Sequence, residues 1–152
     1  MTPRSRERVW SQLKIDEGVV YEVYLDHLGY PTCGVGHLIL EDDYEQGKEV
    51  GTVISVERAF ELFQNDLQVA IGECQVLYGA AWFYFPDEVQ EILVNMLFNM
   101  GRPRLTKFKK MNAAIEAGDW VTASKEGRDS LWYKQVGNRA NRLMSRLEVV
   151  GI

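Results

Sequence analysis

The chain has 152 residues, 46% of them apolar and 26% charged, with a formal net charge of −5. This length and composition suit a single globular domain with a real core. They exclude a membrane span, which needs roughly 18 consecutive apolar residues, and give no basic motif of the kind that grips nucleic acid. The net charge hides an asymmetry. Residues 1–101 carry 17 acidic and 6 basic side chains, whereas residues 102–152 carry 11 basic and 5 acidic ones. The basic third reads either as a face for an anionic polymer or as a solvated helical surface. Cys33 and Cys74 stand far apart at apolar positions and read as small buried thiols rather than a disulfide framework. With only His27 and His37 beside them, no metal site and no cofactor are expected. Met1 to Arg8 is polar and basic with no apolar segment behind it, so no signal peptide is expected, and synthesis in a cytoplasm is.

In chain order, a helix is predicted from near Ser5 to about Asp16, with Val9, Trp10 and Leu13 as its apolar stripe and Gly18 as its stop. Val19 to Leu25 is rich in β-branched and aromatic residues and reads as a strand. Asp26-His27-Leu28-Gly29 makes a turn, and Tyr30 to Gly36 returns as a second strand. The acidic stretch Glu41 to Glu49 reads as an exposed loop with a short third strand nearby. From Ser55, a plausible N-cap, the period changes. Val56, Ala59, Phe60, Phe63, Leu67, Ala70, Ile71 and Cys74 follow helical spacing to about Tyr78. Such a helix is roughly 35 Å long, enough to connect two lobes. The remainder is helical. One stripe runs from Val89 to Met100, another from Phe108 to Ile115, Asp119 caps a third helix at Trp120, and Ala140, Leu143, Met144 and Leu147 mark the last. The cluster Trp82-Phe83-Tyr84-Phe85 reads as a hydrophobic plug rather than a sugar platform, and Trp120 and Trp132 as core.

This segregated order predicts the α+β class. One domain, 1–152, is expected, with a sheet lobe over about 18–55 and a connecting helix over 56–79. A helical lobe would hold 80–152 with the N-terminal helix, leaving a cleft between the lobes. Glu17 ends the first helix, Asp26 ends the first strand, and Thr32 lies across the turn from Asp26. Hydrolysis of a glycoside needs one carboxylic acid for the leaving oxygen and a second polar group to handle water. Spacing alone does not single these residues out, because Glu at a helix end and Asp at a turn are common for local reasons.

The surrounding motifs are more specific. Ile15-Asp16-Glu17-Gly18, Tyr24-Leu25-Asp26 and Gly29-Tyr30-Pro31-Thr32-Cys33-Gly34-Val35-Gly36-His37-Leu38 closely resemble the lysozymes of T-even bacteriophages, with the same separations from Glu to Asp to Thr. The resemblance continues through Phe98-Asn99-Met100-Gly101, Trp120, Trp132-Tyr133-Lys134-Gln135 and Asn138-Arg139-Ala140. It implies a lysozyme-like fold and an inverting muramidase acting on bacterial peptidoglycan. Glu17 would be the general acid, Asp26 would activate the attacking water, and Thr32 would hydrogen-bond it. Leu38 and Phe98 would line the saccharide cleft. Arg139 would pair with Glu17, Arg142 with Asp16, and His37 with Asp66. The resemblance further implies a monomer made in the host cytoplasm, with no nucleic-acid partner and no membrane insertion, which reaches the wall through a pore-forming holin.

Four departures bear on substrate preference rather than reaction type. Met111 and Glu126 fall where the family has small polar cleft residues, so those roles are not carried over. Asn99 stands where Gln is usual, and Val136-Gly137 replaces Thr-Pro. Two rival readings remain. A lytic transglycosylase needs the acid but no attacking water, which Asp26 and Thr32 argue against. A catalytically dead wall-binding or tail module is disfavoured by the intact trio.

Overall fold

In the computed structural model, which describes residues 1–152, helix α1 spans Pro3–Glu17. Ser5, Val9 and Leu13 are its buried positions. It stops where Gly18 takes a φ of +75°, a region that costs an ordinary L-residue about 1–2 kcal/mol. Strands β1 (Val20–Leu25), β2 (Pro31–Gly34) and β3 (His37–Leu38) form an antiparallel sheet in that order. The return strand expected over Tyr30 to Gly36 thus ends at Gly34, and a further short strand follows it. Gly34 and Gly36 both adopt positive φ, which no regular strand accommodates, and the turn between them sends the chain back as β3. On the free edge of β1, Val53 bridges Glu22. There the Val23 N–H donates to the Thr52 carbonyl at 2.9 Å and the Ile54 N–H to the Tyr21 carbonyl at 3.0 Å.

Helix α2 (Val56–Tyr78) begins with the Ser55 hydroxyl accepting the Arg58 N–H at 3.0 Å, the cap expected from its sequence. A 3-10 turn over Gly79–Tyr84 leads to α3 (Asp87–Met100), α4 (Arg102–Thr106) and α5 (Lys109–Glu116). Then come α6 (Trp120–Arg128), α7 (Leu131–Val136) and α8 (Asn138–Glu148). Asp119 caps α6 by accepting the Thr122 N–H. The protein is therefore α+β, mostly helical with one small antiparallel sheet. No helix is long and apolar enough to cross a membrane.

The chain forms two compact units, residues 10–69 and residues 1–9 with 70–152. In the first, one face of the sheet packs on the start of α2. Val23, Cys33, Ile39, Ile54, Ala59 and Leu62 make this core. Trp10 stands edge-on to Phe60, with centroids 5.1 Å apart, and tilts against Phe63 at 4.7 Å. The acidic stretch is not wholly exposed. Glu45 is buried, its carboxylate held by Arg58 through bonds of 2.8 and 3.0 Å. A carboxylate can leave water there because the guanidinium fork satisfies both its oxygens.

In the helical unit α3 is buried on most sides, with Ile92, Leu93 and Met96 fully enclosed. Trp82 is sealed, and Phe85 nearly so. Phe83 and Tyr84, expected in the same plug, are instead exposed at 67% and 87%, because the 3-10 turn points successive side chains in different directions. Among the apolar residues of α3 sits Glu91, 3% exposed. Its carboxylate accepts from Ser5 Oγ at 2.8 Å, Arg8 Nη2 at 2.7 Å and Arg146 Nη2 at 3.3 Å, which fastens the first turns of α1 and the last of α8 to α3. Burial works against the charged form, but Arg8, Ser5 and Arg146 outweigh it and hold the Glu91 pKa below the usual range.

Removing one partner of a buried ion pair costs about 3–5 kcal/mol. Here Arg8 and Arg146 keep side-chain exposures of 46% and 29%. Glu91→Gln should therefore lower stability by about 2–3 kcal/mol in urea unfolding at neutral pH. A carboxyl with a lowered folded pKa stabilises above its unfolded pKa, so the deficit should shrink as pH falls below about 4. A deficit equally large at pH 2 would show that packing, not charge, is what Glu91 supplies.

Candidate active site

Glu17, Asp26, Thr32 and Leu38 all belong to the unit of residues 10–69. Glu17 is the last residue of α1 and is exposed. The turn between β2 and β3 comes up against it: a Cβ placed on Gly36 would lie 3.9 Å from both Glu17 Cβ and Oε2. With its φ of +60°, Gly36 is fitted to this position by backbone conformation.

Asp26 follows β1 and is fixed by the hairpin it opens. Its Oδ1 accepts the backbone N–H groups of Leu28 and Tyr30, both at 2.9 Å, while its own N–H donates to the Tyr30 carbonyl at 2.9 Å. This is the local bonding that favours Asp in turns. The other oxygen, Oδ2, has no hydrogen-bond partner within the protein. Thr32 is 4% exposed, and its hydroxyl donates to the Tyr30 carbonyl at 2.8 Å. That bond uses the only proton of the hydroxyl, so toward any further group Thr32 Oγ1 is an acceptor. Asp26 Oδ2 is an acceptor as well. A water meeting both would give up one proton to each and turn its lone pairs away from them.

Register places the other cleft candidate of this unit. Thr32 pairs with Tyr24 on β1 and with Leu38 on β3. Leu38, 47% exposed, therefore stands beside Thr32 on the same side of the sheet. Residues on the opposite side, Cys33 paired with His37, turn inward. His37 is 5% exposed, with Nδ1 2.7 Å from Asp66 Oδ2 on α2 and Nε2 2.7 Å from Asp43 Oδ2. Asp43 was not among the residues singled out in the sequence. In an acidic loop nothing marks which carboxylate turns inward, although its Oδ2 also takes the Leu40 N–H at 2.7 Å. A neutral imidazole can donate from one nitrogen only, so the imidazolium alone satisfies both carboxylates. Burial disfavours that charge, but the bonds to Asp66 and Asp43 prevail, and the His37 pKa is raised. Asp43 is lowered: its own burial is outweighed by the Leu40 N–H, His37 and Arg58.

The remaining candidates lie elsewhere in the chain. Asp16 accepts from Gln12 Nε2 at 3.3 Å along α1. In the helical unit, Phe98 is half-buried on α3. Arg139 of α8 donates to Asn95 Oδ1 at 2.9 Å and to the Asn95 carbonyl at 3.3 Å, and Arg142 lies one turn further along α8. Asn99 has a structural partner, accepting the Trp132 indole N–H at 2.7 Å. Met111 and Glu126 line an open concavity of about 420 Å³ together with Phe108 and three lysines, Lys107, Lys109 and Lys110.

A family model described as phage lysozyme matches residues 14–148. The chain belongs to the phage lysozyme family. Among its relatives in that family's neighbourhood are two from Dictyostelium discoideum, probable T4-type lysozymes 1 and 2. They are 32% and 33% identical over 154 positions, which cover 90% of this chain and 91% of each relative. It is also similar to the pre-baseplate central spike protein Gp5 of Enterobacteria phage T4, 35% identical over 162 positions. That match takes in 92% of this chain but 28% of the spike protein. As a phage lysozyme family member, the chain carries Glu17, Asp26 and Thr32 inside the matched span.

The His37 geometry sets a stability profile. A raised imidazole pKa stabilises fully below the unfolded value of about 6.5 and is lost as pH rises through the folded value. A lowered Asp43 stabilises above the unfolded value of about 3.9 and is lost as pH falls through its folded value. Both contributions coincide between about pH 4 and 6.5. His37→Asn should therefore cost most stability near pH 5 and progressively less in alkaline buffer, with wall hydrolysis at permissive temperature little changed. Urea unfolding at pH 5 and pH 9 checks this, and an equal loss at both would rule out an ionic role.

Proposed function

We propose that the protein is a lysozyme that hydrolyses the β-1,4 bond between N-acetylmuramic acid and N-acetylglucosamine in bacterial peptidoglycan, with inversion, in the service of host lysis. Family membership supports the class of reaction. The observation that carries the mechanism is that backbone bonds of one hairpin leave both Asp26 Oδ2 and Thr32 Oγ1 as acceptors.

In this reading Glu17, protonated, gives its proton to the glycosidic oxygen as the bond to the anomeric carbon breaks. A water held by Thr32 and Asp26 attacks that carbon from the opposite face and passes its proton to Asp26. The sugar leaves as the α anomer, Glu17 is left as carboxylate and Asp26 as acid, and exchange with solvent resets both. Because the two acceptors are held by the hairpin, little reorganisation is needed as charge moves. Leu38 supplies apolar surface next to Thr32. The likeness to a phage spike protein favours a second setting for the same chemistry, a lytic module carried in the particle and used at entry. Mass spectrometry of purified particles separates the two settings.

Glu17→Gln should abolish release of reducing ends from purified peptidoglycan while leaving the unfolding transition in place. Asp26→Asn should lose most of the activity. Thr32→Val keeps the strand but removes the acceptor, and turnover should fall by about 10- to 100-fold, the loss of roughly 1.4–2.8 kcal/mol of transition-state stabilisation. Thr32→Ser should retain more. NMR of the first product should show the α anomer. Release of the β anomer, or full activity in Thr32→Val, would mean that water is not delivered from this side, and an anhydro-muramic end would point to a transglycosylase.

A further inference from the structure

We infer that Tyr24 is a substrate-contacting residue of this site, its hydroxyl donating a hydrogen bond to the sugar held between Glu17 and Asp26 and its ring forming one side of the sugar's bed. The inference rests on the glycan-hydrolase reading above and extends it to a residue for which no role has been assigned.

Three observations carry it. First, Tyr24 pairs directly with Thr32, which in turn pairs with Leu38. Directly opposed residues share a face, with Cβ atoms about 4.5–5.5 Å apart. Tyr24, Thr32 and Leu38 thus form one row across the sheet, aromatic, hydroxyl and aliphatic in turn. Asp26, two residues beyond Tyr24, opens the turn of the same hairpin, and its charge is felt at the Tyr24 phenol. Val23, of opposite parity, is 1% exposed in the core. Second, the Tyr24 ring is half-buried, yet its hydroxyl makes no hydrogen bond within the protein. The hydroxyl oxygen is not buried, so it is reachable from solvent. Here the ring is anchored and the hydroxyl is left to something from outside the chain. Third, the electrostatics keep it a donor. Burial, and after it the charge of Asp26, the Cys33 thiol and Glu17, push the phenol pKa up, so it stays protonated wherever the two carboxylates work.

The chemistry is complementary to what already lines the site. Asp26 Oδ2 and Thr32 Oγ1 are both acceptors, and each is suited to water. A sugar in the same place also offers acceptor oxygens, on its ring and its acetamido group, and a neutral phenol is a donor for them. A ring face beside a polar tip is likewise the surface that a pyranose, with its C–H face and hydroxyl rim, packs against.

A tyrosine kept only for strand propensity or packing survives exchange for phenylalanine. A donor does not. In the Glu17→Gln background, which binds without turnover, affinity for a tetrasaccharide of alternating N-acetylglucosamine and N-acetylmuramic acid is measured by calorimetry with and without Tyr24→Phe. The hydroxyl contributes one neutral hydrogen bond, so Tyr24→Phe should weaken binding by about 3- to 10-fold with the unfolding midpoint unchanged. Tyr24→Leu, which also removes the ring, should weaken it further. In the Tyr24-containing Glu17→Gln protein, the Tyr24 ring protons should shift on addition of the tetrasaccharide. Equal affinity in the Phe variant, or ring protons that do not move, overturns the inference. The parent reading is checked separately: if the unaltered protein releases no reducing ends from peptidoglycan, that reading falls and this one with it. If the unaltered protein does release them and Tyr24→Phe matches it in binding, only the role of Tyr24 falls.

Discussion

The pleat of a sheet three strands wide governs what this unit can do. Successive side chains of a strand point to opposite faces, and a slip of one residue exchanges the faces entirely. Here the inward set is Val23, Cys33 and His37, and it packs on α2 around Ala59 and Leu62. The outward set is Tyr24, Thr32 and Leu38. The inward set is almost wholly buried, whereas Leu38 and Tyr24 of the outward set keep exposed surface, so burial chooses one register. That register puts Thr32 between Tyr24 and Leu38, in the hairpin that Asp26 opens, while the turn after β2 brings Gly36 up to Glu17. The positive φ of Gly34 reinforces the choice, since it ends β2 at this point.

The polar groups of the hairpin follow the same logic at shorter range. Asp26 spends one oxygen on two backbone N–H groups and keeps the other. Thr32 spends its proton on a carbonyl and keeps its lone pairs. Neither side chain depends on a mobile neighbour for its orientation, so acceptors stand ready before any ligand arrives. Prearranged polarity of this kind is where much of an enzyme's advantage over water lies. His37, behind the sheet, performs a parallel task by tying β3 and the following loop to α2 through two carboxylates.

Much of this was legible in the residues. The helices carried helical periodicity with caps at Ser55 and Asp119, the hairpin was marked by Asp26 to Gly29, and the motifs around Glu17, Asp26 and Thr32, rather than their spacing alone, made them the candidates. Other features depend on tertiary context that periodicity does not encode. The break in the return strand came from two glycines whose left-handed backbone is chosen by what packs around them. Glu45 reads as part of an exposed loop and Glu91 is not singled out by the sequence, and only the arrival of Arg58, Arg8 and Arg146 from other parts of the chain makes their burial tolerable. Asp43 is one of several carboxylates in one loop. Tyr24 looked like any β-forming aromatic residue, and its place emerged only when β1 and β2 were set in register. Phe83 and Tyr84 differ from Trp82 and Phe85 by turn geometry, not by chemistry.

The sealed thiols have a consequence for the reactivity of the sheet. Cys33 follows Thr32 directly and points the opposite way, with none of its surface open to solvent. Burial, aided by nearby Glu45 and Asp43, pushes its pKa up to about 11, and burial takes Cys74 to about 12. At neutral pH a thiol of pKa 11 is ionised in only about one molecule in ten thousand, and it is the thiolate that oxidants and disulfides attack. The sheet therefore sets the Cys33 thiol back to back with the Thr32 hydroxyl and keeps it un-ionised at neutral pH. The strand that presents Thr32 thus carries its one thiol on the side away from solvent.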